Sequence, residues 1–174
     1  AALFGILLIA SATNYTGSLR YVIVQSIALV LGVALYAFFT FVDVEEASEK
    51  WKWIFAFNVV FILLLLSPLG VDPVQSGGNR AWLSIPGFPM DIQPSEIVKV
   101  TFTILLAKQL AYYQEHELSS IRSVAFYSGH FLFMVCLLYA ISSDAGSCLV
   151  YVAIFVCMTF AAGVKLRWFV LGGA

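Results

Sequence analysis

Long apolar stretches separated by short polar connections account for most of the chain. Crossing the hydrocarbon core of a bilayer takes a helix of about 20 mainly apolar residues, and hydropathy delimits six candidate spans. They cover residues 1–12, 21–42, 53–69, 92–112, 124–141 and 147–164. Backbone polar groups in lipid must be satisfied within the chain, which at these lengths requires helices. The pattern therefore predicts an all-α, polytopic membrane protein with a single integral membrane domain over residues 1–174, its short first span being the remainder of a truncated helix.

The distribution of basic residues predicts the orientation of these helices, because cytoplasmic loops collect Lys and Arg. With the amino terminus in the cytoplasm, only Arg20 and Arg80 fall at external ends. The other basic residues considered then fall at cytoplasmic ends: Lys50, Lys52, Lys108, Arg122, Lys165 and Arg167. This orientation makes residues 71–91 an external loop, and its many Pro and Gly residues predict a turn-rich structure.

Composition narrows the class of protein further. Apolar residues make up 61% of the chain and charged residues only 11%, against about 25% charged residues in a typical soluble domain, so a soluble fold is excluded. The formal net charge of −1 provides no basic surface for nucleic acid, and we expect membrane lipid and intramembrane partners. The cysteines lack metal-ligand spacing, and no dinucleotide, Walker or zinc-protease motif occurs, so no organic cofactor is indicated.

The most informative motif is Gln93-Pro94-Ser95-Glu96, which opens an apolar stretch that also contains Lys99. Pro at the first helical position and Glu close behind it favour a helix amino terminus, so capping is one interpretation. Lys99 lies on the same helix face as Glu96, about 4.5 Å deeper. A charged side chain within a span costs about 2.5 to 3.5 kcal/mol and usually faces a cavity or a partner; snorkelling to the interface is the alternative.

Asp144 lies between the fifth and sixth spans, at the same predicted external end as Glu96 and Lys99. Asp favours the amino-terminal cap of a helix, which is the simpler interpretation. The sharper hypothesis is that the three side chains converge on one polar site in which two carboxylates balance Lys99. Arg80 is a candidate contact for a phosphate, because a guanidinium binds phosphate oxygens in pairs; an exposed loop Arg without a ligand is the alternative.

These motifs resemble the signature of SEDS proteins (shape, elongation, division and sporulation), the group of FtsW, RodA and SpoVE. The family pattern of Gly, Arg-Trp and Gln-Pro-Ser-Glu-x-x-Lys is similar here at Gly78, Trp82 and residues 93–99. The segment that contains Asp144 and Gly146 resembles the family's Pro-Asp-Leu-Gly-Thr motif, and residues 162–168 resemble its Gly-x-x-x-Arg segment. The resemblance covers essentially the whole chain, and residues 93–99 are its most specific part.

Two departures from the family pattern affect what can be carried over. Arg80 lies two positions before Trp82, where the family often has Arg directly before Trp. Ser143 and Ala145 replace the usual Pro and Leu on either side of Asp144. The carboxylate of the motif is kept.

The resemblance implies a ten-helix membrane protein that polymerises lipid II, an undecaprenyl-pyrophosphate disaccharide-peptide, at the outer face of the bacterial cytoplasmic membrane. It also implies a class B penicillin-binding protein as partner, a role in elongation, division or sporulation, and a cation or divalent metal that stabilises the departing pyrophosphate. Family members carry an essential Asp in a large external loop after the seventh helix, which this chain does not reach. We therefore expect an amino-terminal fragment that holds no catalytic residue and is inactive alone.

Two other functions stay open at this point. A transporter that moves lipid II across the bilayer would also place charged side chains along a substrate path. A scaffold that only positions the penicillin-binding partner would tolerate the loss of Glu96 and Lys99, whereas a transporter would need both.

Overall fold

The computed structural model describes residues 2–13, 20–72, 80–87 and 91–173. Gly78 and part of the predicted loop 71–91 therefore lie outside the described residues. The chain divides into two compact units, Ala1–Asp43 and Val44–Ala174. The first unit consists of helices α1 (Ala2–Thr13) and α2 (Arg20–Thr40), which pack against each other.

The second unit contains six helices in the part of the chain that the structure describes. They are α3 (Val44–Glu49), α4 (Trp51–Leu63), α5 (Pro94–Glu115), α6 (Ile121–Ser142), α7 (Ala145–Ala161) and α8 (Leu166–Gly173). A 3₁₀ turn over Leu64–Leu66 extends α4. Helix α5 is central to this unit, because it packs against α4, α6 and α7.

Each predicted apolar stretch coincides with a helix, although the helix ends differ from the predicted bounds by a few residues. Two helical segments, Tyr21–Thr40 and Ile121–Ser142, are long and apolar enough to cross a membrane. Trp51–Leu66 and Ala145–Ala161 are shorter apolar helices. Helix α5 has the length of α6 but is less apolar. Helices α3 and α8 were not predicted, since six and eight residues are too few to show a helical repeat.

A short antiparallel hairpin precedes α5. Its strands are β1 (Gly70–Val71) and β2 (Trp82–Leu83), with Gly70 opposite Leu83. Leu83 also exchanges two backbone hydrogen bonds with Ile92, at 2.7 and 2.9 Å. Leu83 is therefore paired with β1 and with Ile92, the residue directly before Gln93.

The core of the second unit lies where α4, α5, α6 and α7 meet. Its fully buried side chains come from all four helices: Ile62, Val98, Phe102, Leu106, Tyr127, Met134, Leu138 and Tyr151. Aromatic rings fill the spaces between helices, with Phe131 of α6 stacked on Phe155 of α7 at 4.3 Å between ring centroids. This packing fixes the position of α5 relative to α7, and with it the spacing of the motifs that begin these two helices.

Candidate functional site

The two sequence motifs meet where α5 and α7 begin. Pro94 is the first residue of α5. A backbone N–H at this position would have no acceptor within the helix, so the N–H that Pro lacks costs no hydrogen bond. Gln93 precedes it in an extended conformation and does not cap α5 with its side chain. Its amide instead extends to the start of α7, where Asp144 is the cap residue.

The carboxylate of Asp144 accepts three hydrogen bonds. One oxygen, Oδ1, accepts from the backbone N–H of Ser147 at 3.1 Å, which is the capping interaction that Asp favours. The other, Oδ2, accepts from the Ser147 hydroxyl at 2.6 Å and from the Gln93 amide at 3.0 Å. A single carboxylate therefore caps α7 and joins it to the start of α5.

A second layer of polar contacts lies directly beneath this carboxylate. The hydroxyls of Ser95 and Ser147 are 3.2 Å apart, and the Tyr151 hydroxyl donates to the Ser95 carbonyl at 3.0 Å. Ser95, Ser147 and Tyr151 are all buried. We call the set of Gln93, Ser95, Asp144, Ser147 and Tyr151 the α5–α7 clamp.

Gly146 provides space for this arrangement. A Cβ atom at this position would lie 3.3 Å from Asp144 Oδ1, closer than ordinary van der Waals contact. Glycine at the second position of α7 therefore lets the carboxylate fold back over the first turn and bind the Ser147 N–H. This accounts physically for a motif residue that the sequence singled out without a role.

Glu96 and Lys99 form an ion pair one turn along α5. Lys99 Nζ and Glu96 Oε1 are 2.7 Å apart, and the Lys99 side chain is 20% exposed against 58% for Glu96. Among the described residues, Lys99 makes no ion pair with Asp144 within 4.0 Å. The structure thus pairs Glu96 with Lys99, whereas Asp144 is bound to Gln93 and Ser147. The convergence of both carboxylates on Lys99 stays a prediction.

Arg80 lies beside the hairpin. Its Nη2 donates to the backbone carbonyls of Gly70 at 2.9 Å and Ser67 at 3.4 Å. These bonds connect the segment before β2 to the end of α4, next to Trp82. Arg80 is exposed, and its bonds to these two carbonyls use one nitrogen of the guanidinium, which has three.

A metal site is not evident among the described residues, in which no group of three or more His, Cys, Asp and Glu side chains is arranged to hold an ion. The Glu96 carboxylate is paired with the Lys99 ammonium group. The Asp144 carboxylate accepts hydrogen bonds from the Gln93 amide and the Ser147 N–H. A divalent metal therefore finds no ready set of ligands in the part of this site that the structure describes.

Sequence reasoning did not predict that Gln93, Ser147 and Tyr151 act as partners of this site. One signal was available for Tyr151, which lies four residues after Ser147 and on the same face of an apolar helix. A buried tyrosine hydroxyl usually has a hydrogen-bond partner, which in this case is the Ser95 carbonyl. No comparable signal pairs Gln93 with Asp144, because they are 51 residues apart.

Comparisons with known proteins agree with these motifs. The family model for FtsW, RodA and SpoVE, described as cell cycle protein, matches residues 1–173. The chain is 28% identical to a probable peptidoglycan glycosyltransferase FtsW from Geobacter sp. (strain M18), covering 95% of this chain and 45% of the relative. It is 30% identical to stage V sporulation protein E of Bacillus subtilis (strain 168), covering 83% of this chain and 39% of that protein. The chain thus spans less than half the length of these curated relatives.

Solved structures show the same fold. The rod shape determining protein RodA of Thermus thermophilus superposes with a TM-score of 0.70 at 23% identity, covering 97% of this chain and 56% of RodA. A chain from a structure described as a peptidoglycan synthase complex that coordinates polymerization and crosslinking matches with a TM-score of 0.71, also at 23% identity, covering 97% of this chain and 50% of that one. The predicted fold class, a polytopic helical membrane protein, is confirmed.

Proposed function

The chain belongs to the FtsW, RodA and SpoVE family of cell cycle proteins, and on that premise we propose that it forms the amino-terminal half of a peptidoglycan glycosyltransferase that polymerises lipid II. The observation that carries the proposal is the family match over residues 1–173, together with relatives named for this activity. The chain covers 45% of the first of those relatives, which supports its assignment as a part of a longer protein. That this part is the amino-terminal one, lacks the external-loop Asp and is inactive alone belongs to the proposal and rests on the order of its motifs.

The charges at the start of α5 suit the leaving group of this reaction. In this transfer a general base, usually a carboxylate, removes the proton of the acceptor sugar hydroxyl. The transfer also releases a pyrophosphate. In this proposal Lys99 supplies positive charge to the pyrophosphate and Glu96, at 2.7 Å, holds its ammonium group in place. Arg80 is a second candidate contact, since two of its guanidinium nitrogens are not used in the bonds to Ser67 and Gly70.

The placement of this site follows from the orientation that the basic residues predict. With the amino terminus in the cytoplasm, the beginnings of α5 and α7 face the outside of the bacterial cytoplasmic membrane. This is the side on which peptidoglycan is assembled. A class B penicillin-binding protein is the proposed partner, supported by the likeness to a chain from a synthase complex in which polymerization and crosslinking are coordinated.

The proposal is tested by polymerisation of purified lipid II with the full-length protein and its penicillin-binding partner. We expect glycan chains from the wild type and a loss of about 100-fold or more for Lys99→Ala, because this variant removes a charge that stabilises the transition state. Lys108→Ala is the matched control, since Lys108 is a half-buried lysine near the opposite end of the same helix. Residues 1–174 alone should form no polymer.

Three results would contradict parts of this proposal. Full activity of Lys99→Ala would remove Lys99 from the site, and polymer from residues 1–174 alone would refute the assignment as an inactive part. If the wild type forms no polymer while its partner is verifiably bound, the glycosyltransferase assignment fails. Lipid II translocation that is lost in Lys99→Ala would then indicate a transporter, and unchanged partner activation in the same variant would indicate a scaffold.

A further inference from the structure

The clamp points to a role for Gln93 that neither the motif nor the comparisons assign. We propose that Gln93 is a positioning residue, whose amide holds Asp144 as an anchor between α5 and α7 and thereby sets the place of Lys99. The part that concerns Lys99 rests on the proposed function; the part that concerns the clamp does not. In this assignment Asp144 acts through Gln93 and Ser147, and direct balance of the Lys99 charge belongs to Glu96.

The hydrogen-bond directions in the clamp require an amide at position 93. Asp144 Oδ2 already accepts the only hydroxyl proton of Ser147. The 3.2 Å contact between Ser95 and Ser147 hydroxyls must then be donated by Ser95. Gln93 Nε2 carries two N–H groups, which it directs at Asp144 Oδ2 at 3.0 Å and Ser147 Oγ at 3.4 Å. A glutamate here would present oxygen to a carboxylate, so charge and donor direction both select glutamine.

The clamp determines the position of Lys99 because Lys99 and the clamp residue Ser95 belong to the same helix, α5. Ser95 and Lys99 are four residues apart, so they share one side of the helix about 6 Å apart along its axis. Ser95 is held twice, through its hydroxyl by Ser147 and through its carbonyl by the Tyr151 hydroxyl. Fixing the first turn of α5 against α7 therefore fixes where the Lys99 ammonium group projects.

Hydrogen–deuterium exchange tests the clamp without any assay of activity. The Ser147 N–H lies in the first turn of α7, where amides have no acceptor within the helix, so Asp144 Oδ1 supplies its protection. Gln93→Ala should accelerate exchange at this amide about 2- to 10-fold, the range for loss of one hydrogen bond. Gln114→Ala is the matched control: it removes a glutamine that bonds the Ala162 carbonyl at the other end of α5 and α7, and should leave Ser147 unchanged.

An exchange of donor and acceptor provides the decisive variant. Gln93→Glu should accelerate exchange at Ser147, because it places a carboxylate opposite the Asp144 carboxylate, whereas Asp144→Asn leaves one donor and one acceptor once the Gln93 amide turns its oxygen toward the new N–H. The double variant restores one donor and one acceptor, so its exchange should return to within about twofold of the wild type, a difference smaller than the loss of one hydrogen bond. Unchanged exchange in Gln93→Ala, or a double variant no better protected than Gln93→Glu, would overturn the clamp.

The same variants separate the clamp from the proposed function. In the full-length protein, polymerisation of lipid II should fall in Gln93→Glu and recover in the double variant. If exchange recovers and polymerisation does not, the carboxylate of Asp144 takes part in the reaction directly, and the proposal that it acts only as an anchor fails. If the wild type forms no polymer, the proposed function fails while the exchange results still decide the clamp.

Discussion

Two buried tyrosines provide a direct measurement of what a clamp hydrogen bond contributes to stability. Tyr151 in α7 and Tyr127 in α6 are each no more than 1% exposed. The Tyr151 hydroxyl donates to the Ser95 carbonyl at 3.0 Å. The Tyr127 hydroxyl has no hydrogen-bond partner among the residues that the structure describes. Substituting each with Phe removes one hydroxyl and keeps the ring.

The expected magnitude for Tyr151→Phe follows from the state of the carbonyl that it leaves behind. Ser95 lies in the first turn of α5, so its carbonyl also accepts the intrahelical bond four residues on and is not orphaned. The loss is then that of one net hydrogen bond, about 0.5 to 1.5 kcal/mol in free energy of unfolding, in line with about 0.6 kcal/mol on average between membrane helices. Tyr127→Phe removes an unpaired polar group, whose burial is unfavourable by about 1 to 3 kcal/mol, so its stability should stay equal or rise.

Reversible unfolding in mixed detergent micelles, followed by tryptophan fluorescence, measures both variants against the wild type. The ring of Tyr151 packs on Phe102 at 5.1 Å between centroids, and Phe preserves this contact, so a difference reports the hydroxyl. Tyr151→Phe should be less stable than Tyr127→Phe by about 0.5 kcal/mol or more. Equal stabilities, or the reverse order, would show that the Tyr151–Ser95 bond does not hold α7 to α5.

Two backbone positions yield further predictions. A Cβ at Gly70 would overlap the Leu65 carbonyl, so Gly70→Ala should lower the free energy of unfolding by about 1 to 3 kcal/mol in the same micelle assay. A Cβ at Gly129 in α6 would meet open space, so Gly129→Ala should raise the free energy of unfolding by about 1 kcal/mol. Ser143 ends α6 with a φ of 54° and donates its N–H to Tyr139 at 2.9 Å. Ser143→Gly should therefore increase the melting temperature, and Ser143→Pro should destabilise by about 3 kcal/mol; stable Ser143→Pro would contradict this end of α6.

The helices were predictable because the bilayer imposes a simple rule on the sequence. A run of apolar residues of the required length has few structures other than a helix in lipid, so hydropathy alone located α1, α2, α4, α5, α6 and α7. The shorter α3 escaped this reasoning, since its six residues fall within a polar connection and carry three glutamates. Local composition there indicates exposure, and no residue of α3 is buried in the structure.

The hairpin and the clamp were not predictable because both depend on contacts between distant residues. Strands β1 and β2 have two residues each, too few for a period-two pattern. Leu83 of β2 also pairs with Ile92, which lies nine residues further along the chain. Gln93 was identified as part of a motif, yet its partner could be assigned only from the packing of α5 against α7. The Glu96–Lys99 pair was accessible from sequence because helical spacing by itself brings residues three apart together.

The departure of Ser143 from the family pattern has a consequence for the turn that presents Asp144. A residue with a φ of 54° adopts a left-handed conformation that is closed to proline, whose φ is fixed near −65°. The turn between α6 and α7 therefore differs in backbone conformation from one built around the family's Pro. Even so, Asp144 caps α7 here, because Gly146 and Ser147 supply the space and the donors that its carboxylate needs.

Asp144 shows that capping and a functional role are not alternatives for one side chain. Its Oδ1 caps α7 and its Oδ2 binds Gln93, so Asp144→Ala removes the cap and the interhelical bond together. Loss of activity in that variant consequently assigns no chemistry to the carboxylate. Asn keeps the capping oxygen and turns an N–H toward the Gln93 amide, whose own oxygen can accept it. Asp144→Asn therefore removes the negative charge at position 144 while a hydrogen bond to Gln93 still joins the two helices, and the added Gln93→Glu substitution returns one carboxylate to the pair with donor and acceptor exchanged.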